Sequence, residues 1–322
     1  MGAPVACETS RLPYFPVMMY AIVMGLSGFT IMYQKAVGVL HLYEVVALVF
    51  VVLSSMAFLL VSVLYGMKWL RHAQSVKNEF AHPIRLNFFA AISISLIMLS
   101  VIYKEFSMTV AALLWYGGAG LHFYLTMHTI SFWINRNQEL DHSNPAWFIP
   151  VVGNVLVPIG GVGFASQGVL MYFFSCGIFF WVVLFAILLN RIIFHHQLAG
   201  KFMPTLFIFI APPAVGFIAY YKMFGVVDTF ATILFNLALF FTLLVAFMYK
   251  NFVKIKFFIS WWAFVFPLAA MSISSMIMYT ETHDRWLLVL SYGMVGVTSL
   301  ILGIVAYQTL VHMKKGEICV QE

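Results

Sequence analysis

Proline residues inside apolar stretches are the feature that most constrains this chain. They stand in Phe15-Pro16, Phe148-Ile149-Pro150, Ala211-Pro212-Pro213 and Phe264-Val265-Phe266-Pro267. A proline inside a helix removes one backbone hydrogen bond and clashes with the carbonyl four residues earlier, so it bends the helix and frees that carbonyl. In lipid, freed backbone groups are tolerated only where they face protein or a water-filled path. The repeated prolines therefore predict kinked helices around a conduit through a membrane.

The composition requires the membrane. Of 322 residues, 63% are hydrophobic and 9% are charged, which is too little charge to cover a soluble domain of this size. Each crossing needs about 20 helical residues. Charged or turn-rich breaks then divide the chain into ten predicted spans: 12–33, 41–69, 84–103, 108–134, 146–165, 168–194, 202–221, 228–249, 257–279 and 286–312. We expect one all-α transmembrane domain over residues 1–322, with short tails at 1–11 and 313–322.

The spans are organised in pairs. Proline occurs in odd-numbered spans, and the spacing from Pro150 to Pro212 and from there to Pro267 indicates a helical hairpin repeating at roughly 60 residues. The third span departs from this pattern, with Ser93 and Ser95 where a proline would stand. Five such hairpins predict an inner ring of five kinked odd helices around a central pore and an outer ring of five even helices.

The basic residues indicate the orientation, because cytoplasmic loops retain Lys and Arg. Thirteen of the 17 fall on the loops of one side, and the other side has Lys35, Lys104, Lys222 and Arg285. Both termini are therefore expected in the cytoplasm, in a multi-pass protein of the cell (inner) membrane. The net charge of +6 comes from short loops rather than from a basic domain, so nucleic acid is not an expected partner.

The acidic residues favour an anion pathway. All eleven fall at span ends or in loops. Cation pathways normally use rings of Asp or Glu, and proton-coupled transporters normally need a buried carboxylate or histidine. An anion pathway needs no acid and is hindered by one. Hydroxyls, amides and kinked helix ends could replace part of an anion's hydration shell without trapping the ion.

Other chemistry finds little support. His122 and His128 lie about 240° apart around one helix, so they cannot clamp a metal from one side and are assigned structural roles. Cys7, Cys176 and Cys319 are far apart and imply neither a disulfide framework nor a metal site. No phosphate-binding loop or nucleophile motif is present. We therefore expect no enzyme activity and no cofactor.

Four segments of the odd spans resemble a known family. They are His82-Pro83-Ile84-Arg85-Leu86-Asn87-Phe88-Phe89, Asn144-Pro145-Ala146-Trp147-Phe148-Ile149-Pro150, Ala211-Pro212-Pro213 and Trp261-Trp262-Ala263-Phe264-Val265-Phe266-Pro267. They are similar to segments of the bacterial tellurite-resistance protein TehA and the plant guard-cell slow anion channels. The resemblance implies ten helices in five hairpins, homotrimers with one pore in each subunit, and a pore plugged by a phenylalanine of the ninth helix, which corresponds to Phe266.

Physical reasoning is compatible with this gate. Pro267 should free the carbonyl of Ala263 and bend the ninth helix beside Phe266, whose ring could then close a narrow apolar pore by excluding water. Ordinary core packing of Phe266 is the alternative. The candidates for pore kinks or pore lining are Pro16, Tyr20, Ser93, Ser95, Pro150, Asn154, Phe209, Pro212, Pro213 and Pro267. The polar members could instead bridge helices.

The predicted function is an anion channel that passes small monovalent anions, such as chloride or nitrate, with the lipid bilayer and the anions as partners. One alternative is a secondary transporter or exporter of C4-dicarboxylates, tellurite or sulfite. A dicarboxylate would be expected to need a pore-facing Arg or Lys, and the interior of the odd spans has none, with Arg85 only near an inner end. A structural or sensor protein without transport would leave the kinks unexplained.

Overall fold

The structure is a computed structural model that describes residues 11–195 and 198–319. The predicted tail up to residue 10, with Cys7, lies outside the described residues, as do His196 and residues 320–322. Within the described part of the chain, ten main helices follow one another. They are α1 Val17–Leu40, α2 Glu44–Arg71, α3 Arg85–Tyr103, α4 Met108–Asn135, α5 Pro145–Gly161, α6 Gln167–Phe194, α7 Gly200–Phe224, α8 Thr229–Phe247, α9 Ile259–Thr282 and α10 Arg285–Lys314.

Eight of these helices are long and apolar enough to cross a membrane. The two exceptions are α4 and α5. Helix α4 has 28 residues, the same length as α2, but glycines and polar residues such as His122 and Thr126 interrupt its apolar sequence. Helix α5 has 17 residues and is broken near its middle, where Val152–Val155 forms a 3₁₀ turn. The helical fold is thus confirmed, whereas ten separate crossings stay a prediction.

Odd and even helices differ sharply in burial. In the apolar stretches of α1, α3, α7 and α9, 61–83% of the residues are buried, against 22–33% in α2, α6, α8 and α10. Each even helix packs against the odd helix that precedes it. Among the odd helices, α1 packs against α3 and α9, α5 packs against α3 and α7, and α7 packs against α9. The odd helices therefore form the interior, and the even helices present apolar side chains outward.

Small hydroxyl side chains join the helices of a pair. Thr30 of α1 and Ser54 of α2 are 2.8 Å apart at their hydroxyl oxygens, and Ser291 of α10 donates a hydrogen bond to Ser275 of α9 at 3.0 Å. Their hydroxyls also bond to carbonyls one turn earlier on their own helices. Such residues let helix backbones approach closely in lipid, where apolar burial gives no driving force for helix association.

Every odd helix begins with a 3₁₀ segment and then continues as an α-helix. The change falls at Tyr20 in α1, Ala90 in α3, Phe148 in α5, Ala211 in α7 and Val265 in α9. In α7 and α9 the prolines stand at this change, within the first three residues of the α-helical part; the kinks themselves stay a prediction. At these positions a proline offers no N–H to the carbonyls of the preceding turn. Helix α3 makes the same change without a proline, and Ser93 and Ser95 lie in the α-helical part that follows it.

The boundaries of the first helix differ from the prediction. Pro16 lies in extended backbone before the helix rather than within it. The helix also continues to Leu40 instead of ending at residue 33, so that Lys35 is a helical, half-buried residue. A further helix, Ala73–Phe80, was missed by the sequence analysis. It connects α2 to α3 and buries Val76 and Glu79.

Candidate functional site

A wide cavity opens at the face of the bundle where α1 begins and α10 ends, which we call the terminal face. Its volume is about 880 Å³. Most ionisable side chains that line it are basic: Lys68, His82, Arg85, Lys201, Lys256 and His312. Among the described residues, the acidic members of the lining are Glu79 and Glu317, and each lies beside a basic group: Glu79 bonds to Lys68, and Glu317 lies 3.5 Å from His312. The described lining of this cavity, hereafter the vestibule, therefore carries more basic than acidic side chains, which favours anions over cations.

A buried ion pair holds one wall of the vestibule together. Lys68 of α2 and Glu79 of the short helix are each 3% exposed, and Lys68 Nζ lies 2.7 Å from the carboxylate. Lys68 also donates to the carbonyl of Phe15 at 2.8 Å. The Glu79 carboxylate accepts two further hydrogen bonds, from the Tyr65 hydroxyl and from the backbone N–H of Val17, the first residue of α1. The pair thus fixes the start of α1 against α2 and the short helix.

A narrow cavity of about 80 Å³ adjoins the vestibule, and Met18, Phe88 and Ser260 line both spaces. The described residues around the narrow cavity include no ionisable side chain. Its two hydroxyls, Thr205 and Ser260, donate to the backbone carbonyls of Phe202 and Lys201. The space is consequently apolar, and we call it the constriction.

Phe266 lines the constriction together with Pro267 and Pro212. Its ring is only partly buried, and its other side lies against α1 at Gly28. A Cβ atom at Gly28 would come within 2.9 Å of Phe266 Cδ2, which is closer than real carbon contacts allow. Gly25, one turn earlier, gives the same close approach to the Trp262 ring. The indole N–H of Trp262 donates to Thr309 of α10, which orients the 3₁₀ segment that precedes Phe266.

The other sequence candidates have different surroundings. Pro16 lines the vestibule. The remaining ones engage neighbouring helices or their own backbone. Among the polar ones, the side chain of Tyr20 hydrogen-bonds to Ser62, that of Ser93 to His122, that of Ser95 to the Ala91 carbonyl, and that of Asn154 to Thr126 and the Val151 carbonyl. The carbonyl of Pro150 accepts a hydrogen bond from Thr126. Phe209 packs against Phe148 and Phe185, and Pro213 is buried in α7. The contacts of Tyr20, Ser93 and Asn154 match the helix-bridging alternative, whereas Ser95 bonds to a carbonyl of its own helix.

Two parts of the site were not found from the sequence. The vestibule draws its basic residues from segments that are far apart in the chain, and no local pattern links them. Gly25 and Gly28 weakly indicated a helix contact, since small residues three apart on one helix let another helix approach closely. The sequence did not show which helix that would be. Within residues 11–195 and 198–319, no three His, Cys, Asp or Glu side chains come together as a metal site requires.

Eight helices long and apolar enough to cross a membrane define the class: this is a multi-pass membrane protein. The voltage-dependent anion channel family matches residues 14–310, and the chain belongs to that family.

The chain is 28% identical to the S-type anion channel SLAH2 of Arabidopsis thaliana over 92% of this chain and 59% of the plant protein. It is also 25% identical to a tellurite resistance protein TehA homologue of Haemophilus influenzae, over 92% of this chain and 90% of that protein. An uncharacterised transporter of Methanocaldococcus jannaschii shares 25% identity over 81% of this chain and 83% of its own length. The chain thus spans about three fifths of the length of the plant channel.

Proposed function

We propose that this protein is an anion channel that conducts small monovalent anions, such as chloride or nitrate, through a pore within each subunit. The observation that carries the proposal is the arrangement of a vestibule with more basic than acidic side chains, leading to an uncharged constriction that contains Phe266. A basic entrance raises the local anion concentration. An apolar constriction binds no ion tightly, which conduction requires.

The pore lies along the axis of an inner ring of five odd helices. Support comes from their contacts, because the sequence α1, α3, α5, α7, α9 and back to α1 is a closed cycle of packed neighbours. The five even helices form the outer layer and face lipid, in agreement with their low burial. The terminal face is cytoplasmic, as the distribution of Lys and Arg favours, and the resemblance to the TehA family supports a homotrimer in the cell membrane.

Phe266 acts as the gate. The ring sits on α9 just after the change from 3₁₀ to α-helix and beside Pro267, which frees the carbonyl of Ala263. Its partial burial and its place in the wall of the constriction support this role. When the ring fills a dry constriction, water and ions are excluded, and movement of the ring would open the path.

Gly28 positions this ring, which gives a testable prediction. Gly28→Ala places a methyl group where only 2.9 Å separates it from Phe266 Cδ2, so the ring must move away from α1. Because Gly28 lies behind the ring and the constriction in front of it, this displacement pushes the ring further into the constriction, and we expect anion conductance to fall severalfold in whole-cell recordings. The matched control is Gly38→Ala on the same helix, because nothing lies within 4 Å of that position. Equal currents in both variants would argue against contact between α1 and the gate.

Flux from reconstituted vesicles tests channel against transporter. We expect chloride or nitrate to leave preloaded proteoliposomes of the Phe266→Ala variant down the anion gradient, at a rate that depends on the membrane potential and that a proton ionophore leaves unchanged once potassium and valinomycin clamp that potential. Coupled transport of a C4-dicarboxylate, tellurite or sulfite is the alternative, because Arg85 at the start of α3 and Lys201 in the first turn of α7 lie at the vestibule. Uptake of malate that depends on a proton gradient, with no chloride flux, would favour that alternative.

A further inference from the structure

One buried polar atom beside the constriction has no hydrogen-bond partner. The side chain of His122, in the middle of α4, is fully buried. Within the described part of the chain, its Nε2 atom meets no donor or acceptor. Buried polar atoms of native proteins are nearly always hydrogen-bonded, so an exception requires an explanation. The structural role that the sequence predicts for His122 leaves Nε2 unexplained.

The hydrogen bonds of Ser93 assign the proton of the ring to one nitrogen. Ser93 Oγ donates to the Ala90 carbonyl at 2.8 Å and lies 2.9 Å from His122 Nδ1. Because a hydroxyl has one hydrogen to donate, Ser93 accepts the second bond, and Nδ1 is its donor. Among the described residues no acidic side chain acts on the ring, and a buried charge without a partner is costly. The imidazole is therefore neutral, and Nε2 offers a lone pair as an acceptor.

This lone pair faces the wall of the constriction at Gly153. Gly153 belongs to the 3₁₀ turn in the middle of α5 and lines the constriction together with Ile94. A Cβ atom at Gly153 would come within 3.1 Å of His122 Nε2 and 2.9 Å of His122 Cε1. The same Cβ atom would lie 2.9 Å from Ile94 Cδ1. The Nε2 edge of the imidazole thus reaches the wall of the constriction at a position that has no side chain.

Hydrogen bonds between α4 and α5 hold the ring against this wall. Thr126, one turn after His122, donates to the Pro150 carbonyl at 2.7 Å. The Asn154 side chain donates to Thr126 Oγ1 at 3.0 Å. Pro150 and Asn154 stand on either side of Gly153 in the chain, so these bonds fix α5 to α4 at the level of the ring.

We propose that His122 Nε2 holds a water molecule in the open constriction, and that this water donates its second hydrogen to the permeating anion. The inference rests on the proposed function and adds to it a polar contact that replaces part of the hydration shell of a small monovalent anion. The anion binds to the water rather than to Nε2, whose lone pair repels it.

The size and polarity of the constriction fit such a contact. Its volume of about 80 Å³ has room for a water molecule, which occupies roughly 30 Å³ in the liquid. A buried water normally makes about three hydrogen bonds, so one acceptor in an apolar space holds a water weakly. An anion supplies a further partner for this water. Water and anion therefore enter the constriction together once Phe266 moves.

Deuterium exchange of the Cε1 hydrogen of His122 tests the water contact without conduction. Purified full-length protein is incubated in D₂O, and the exchange is measured by peptide mass spectrometry. We expect Phe266→Ala to speed the exchange at least about threefold, because the widened constriction admits water to the ring edge. Gly153→Ala, added to Phe266→Ala, should return the rate to that of the unmodified protein, since its methyl group covers this edge. Equal exchange in Phe266→Ala and the unmodified protein would overturn the proposal.

Substitutions of His122 in the Phe266→Ala background test the effect on anions. His122→Leu removes the acceptor and should lower nitrate and chloride currents about tenfold, the effect of one lost hydrogen bond. His122→Gln keeps an acceptor near the position of Nε2 and should retain most of the current. His122→Asn reaches only Ser93 and should behave as His122→Leu. The matched control is His128→Leu on the same helix, because that ring stacks on Phe80 and the current should not change.

The order of these currents separates the proposal from a purely structural role. A structural role predicts His122→Asn as the mildest change, because this variant retains the hydrogen bond to Ser93. Full currents in His122→Leu, or currents in His122→Asn that equal those in His122→Gln, would contradict the role of Nε2. The proposed function fails separately, through a Phe266→Ala protein that passes no anion, and the exchange of His122 then still shows whether water reaches the ring.

Discussion

Replacing Phe266 by alanine is expected to raise anion conductance by at least about tenfold, equivalent to lowering the barrier by about 1.4 kcal/mol. The ring lies in the wall of an apolar space of about 80 Å³, with Gly28 behind it and Pro267 beside it. In the proposed pore, removal of the ring widens this apolar space, so that water and anions enter together. Two-electrode recordings from oocytes, normalised to surface protein, measure the change.

A nearby phenylalanine supplies the control. Phe264 stands two residues earlier on α9, but it is 7% exposed and packs against Phe207 and Phe252, away from the constriction. Phe264→Ala should therefore leave conductance low even if it reduces stability. Phe266→Leu retains an apolar side chain and should give an intermediate current. An unchanged current from correctly inserted Phe266→Ala protein would remove the gate assignment.

Replacing Lys68 by methionine is expected to lower the free energy of unfolding by about 3–5 kcal/mol, the cost of leaving a buried charge without its partner. The Glu79 carboxylate would lose the ammonium group 2.7 Å away while staying 3% exposed. The start of α1 should loosen as well, because Lys68 binds the Phe15 carbonyl and Glu79 binds the Val17 N–H. Thermal unfolding of detergent-purified protein measures the loss.

A double substitution separates the ion pair from general packing. Lys68→Met combined with Glu79→Leu removes both buried charges, and replacing a buried pair by apolar residues costs much less than breaking it. The double variant should therefore unfold at a higher temperature than Lys68→Met alone. Lys77→Met is the matched surface control, since Lys77 is exposed on the same short helix as Glu79. A double variant less stable than Lys68→Met would contradict the ion-pair explanation.

The class of protein and its family could be predicted from the sequence, because hydropathy and the proline segments are local patterns. The form of the odd helices could not. Pro212, Pro213 and Pro267 lie where α7 and α9 change from 3₁₀ to α-helix. Helix α3 makes this change at Ala90 without a proline. The change is thus a property of how these helices begin, and it does not require a proline.

The contacts of individual candidate residues were hardest to predict in helices that are apolar on all sides. Tyr20, Ser93 and Asn154 are polar residues of buried helices, and the sequence gives no sign of which neighbour each one meets. Lys35 was assigned to a loop because a charged residue seldom continues an apolar span. The structure retains it in α1, half-buried near Glu281 and Lys222. Such placements depend on contacts between distant segments, which local patterns do not encode.

The most direct test of the central claim is the reversal potential of the Phe266→Ala current when external chloride is replaced by nitrate or gluconate, recorded with purified protein in planar bilayers. A selective anion pore should reverse near the equilibrium potential of the permeant anion, so that gluconate shifts the reversal potential strongly to positive values, while replacement of sodium by a large cation leaves it unchanged. A reversal potential that follows the cation, or a bilayer that stays silent while vesicles take up malate with protons, would contradict the account.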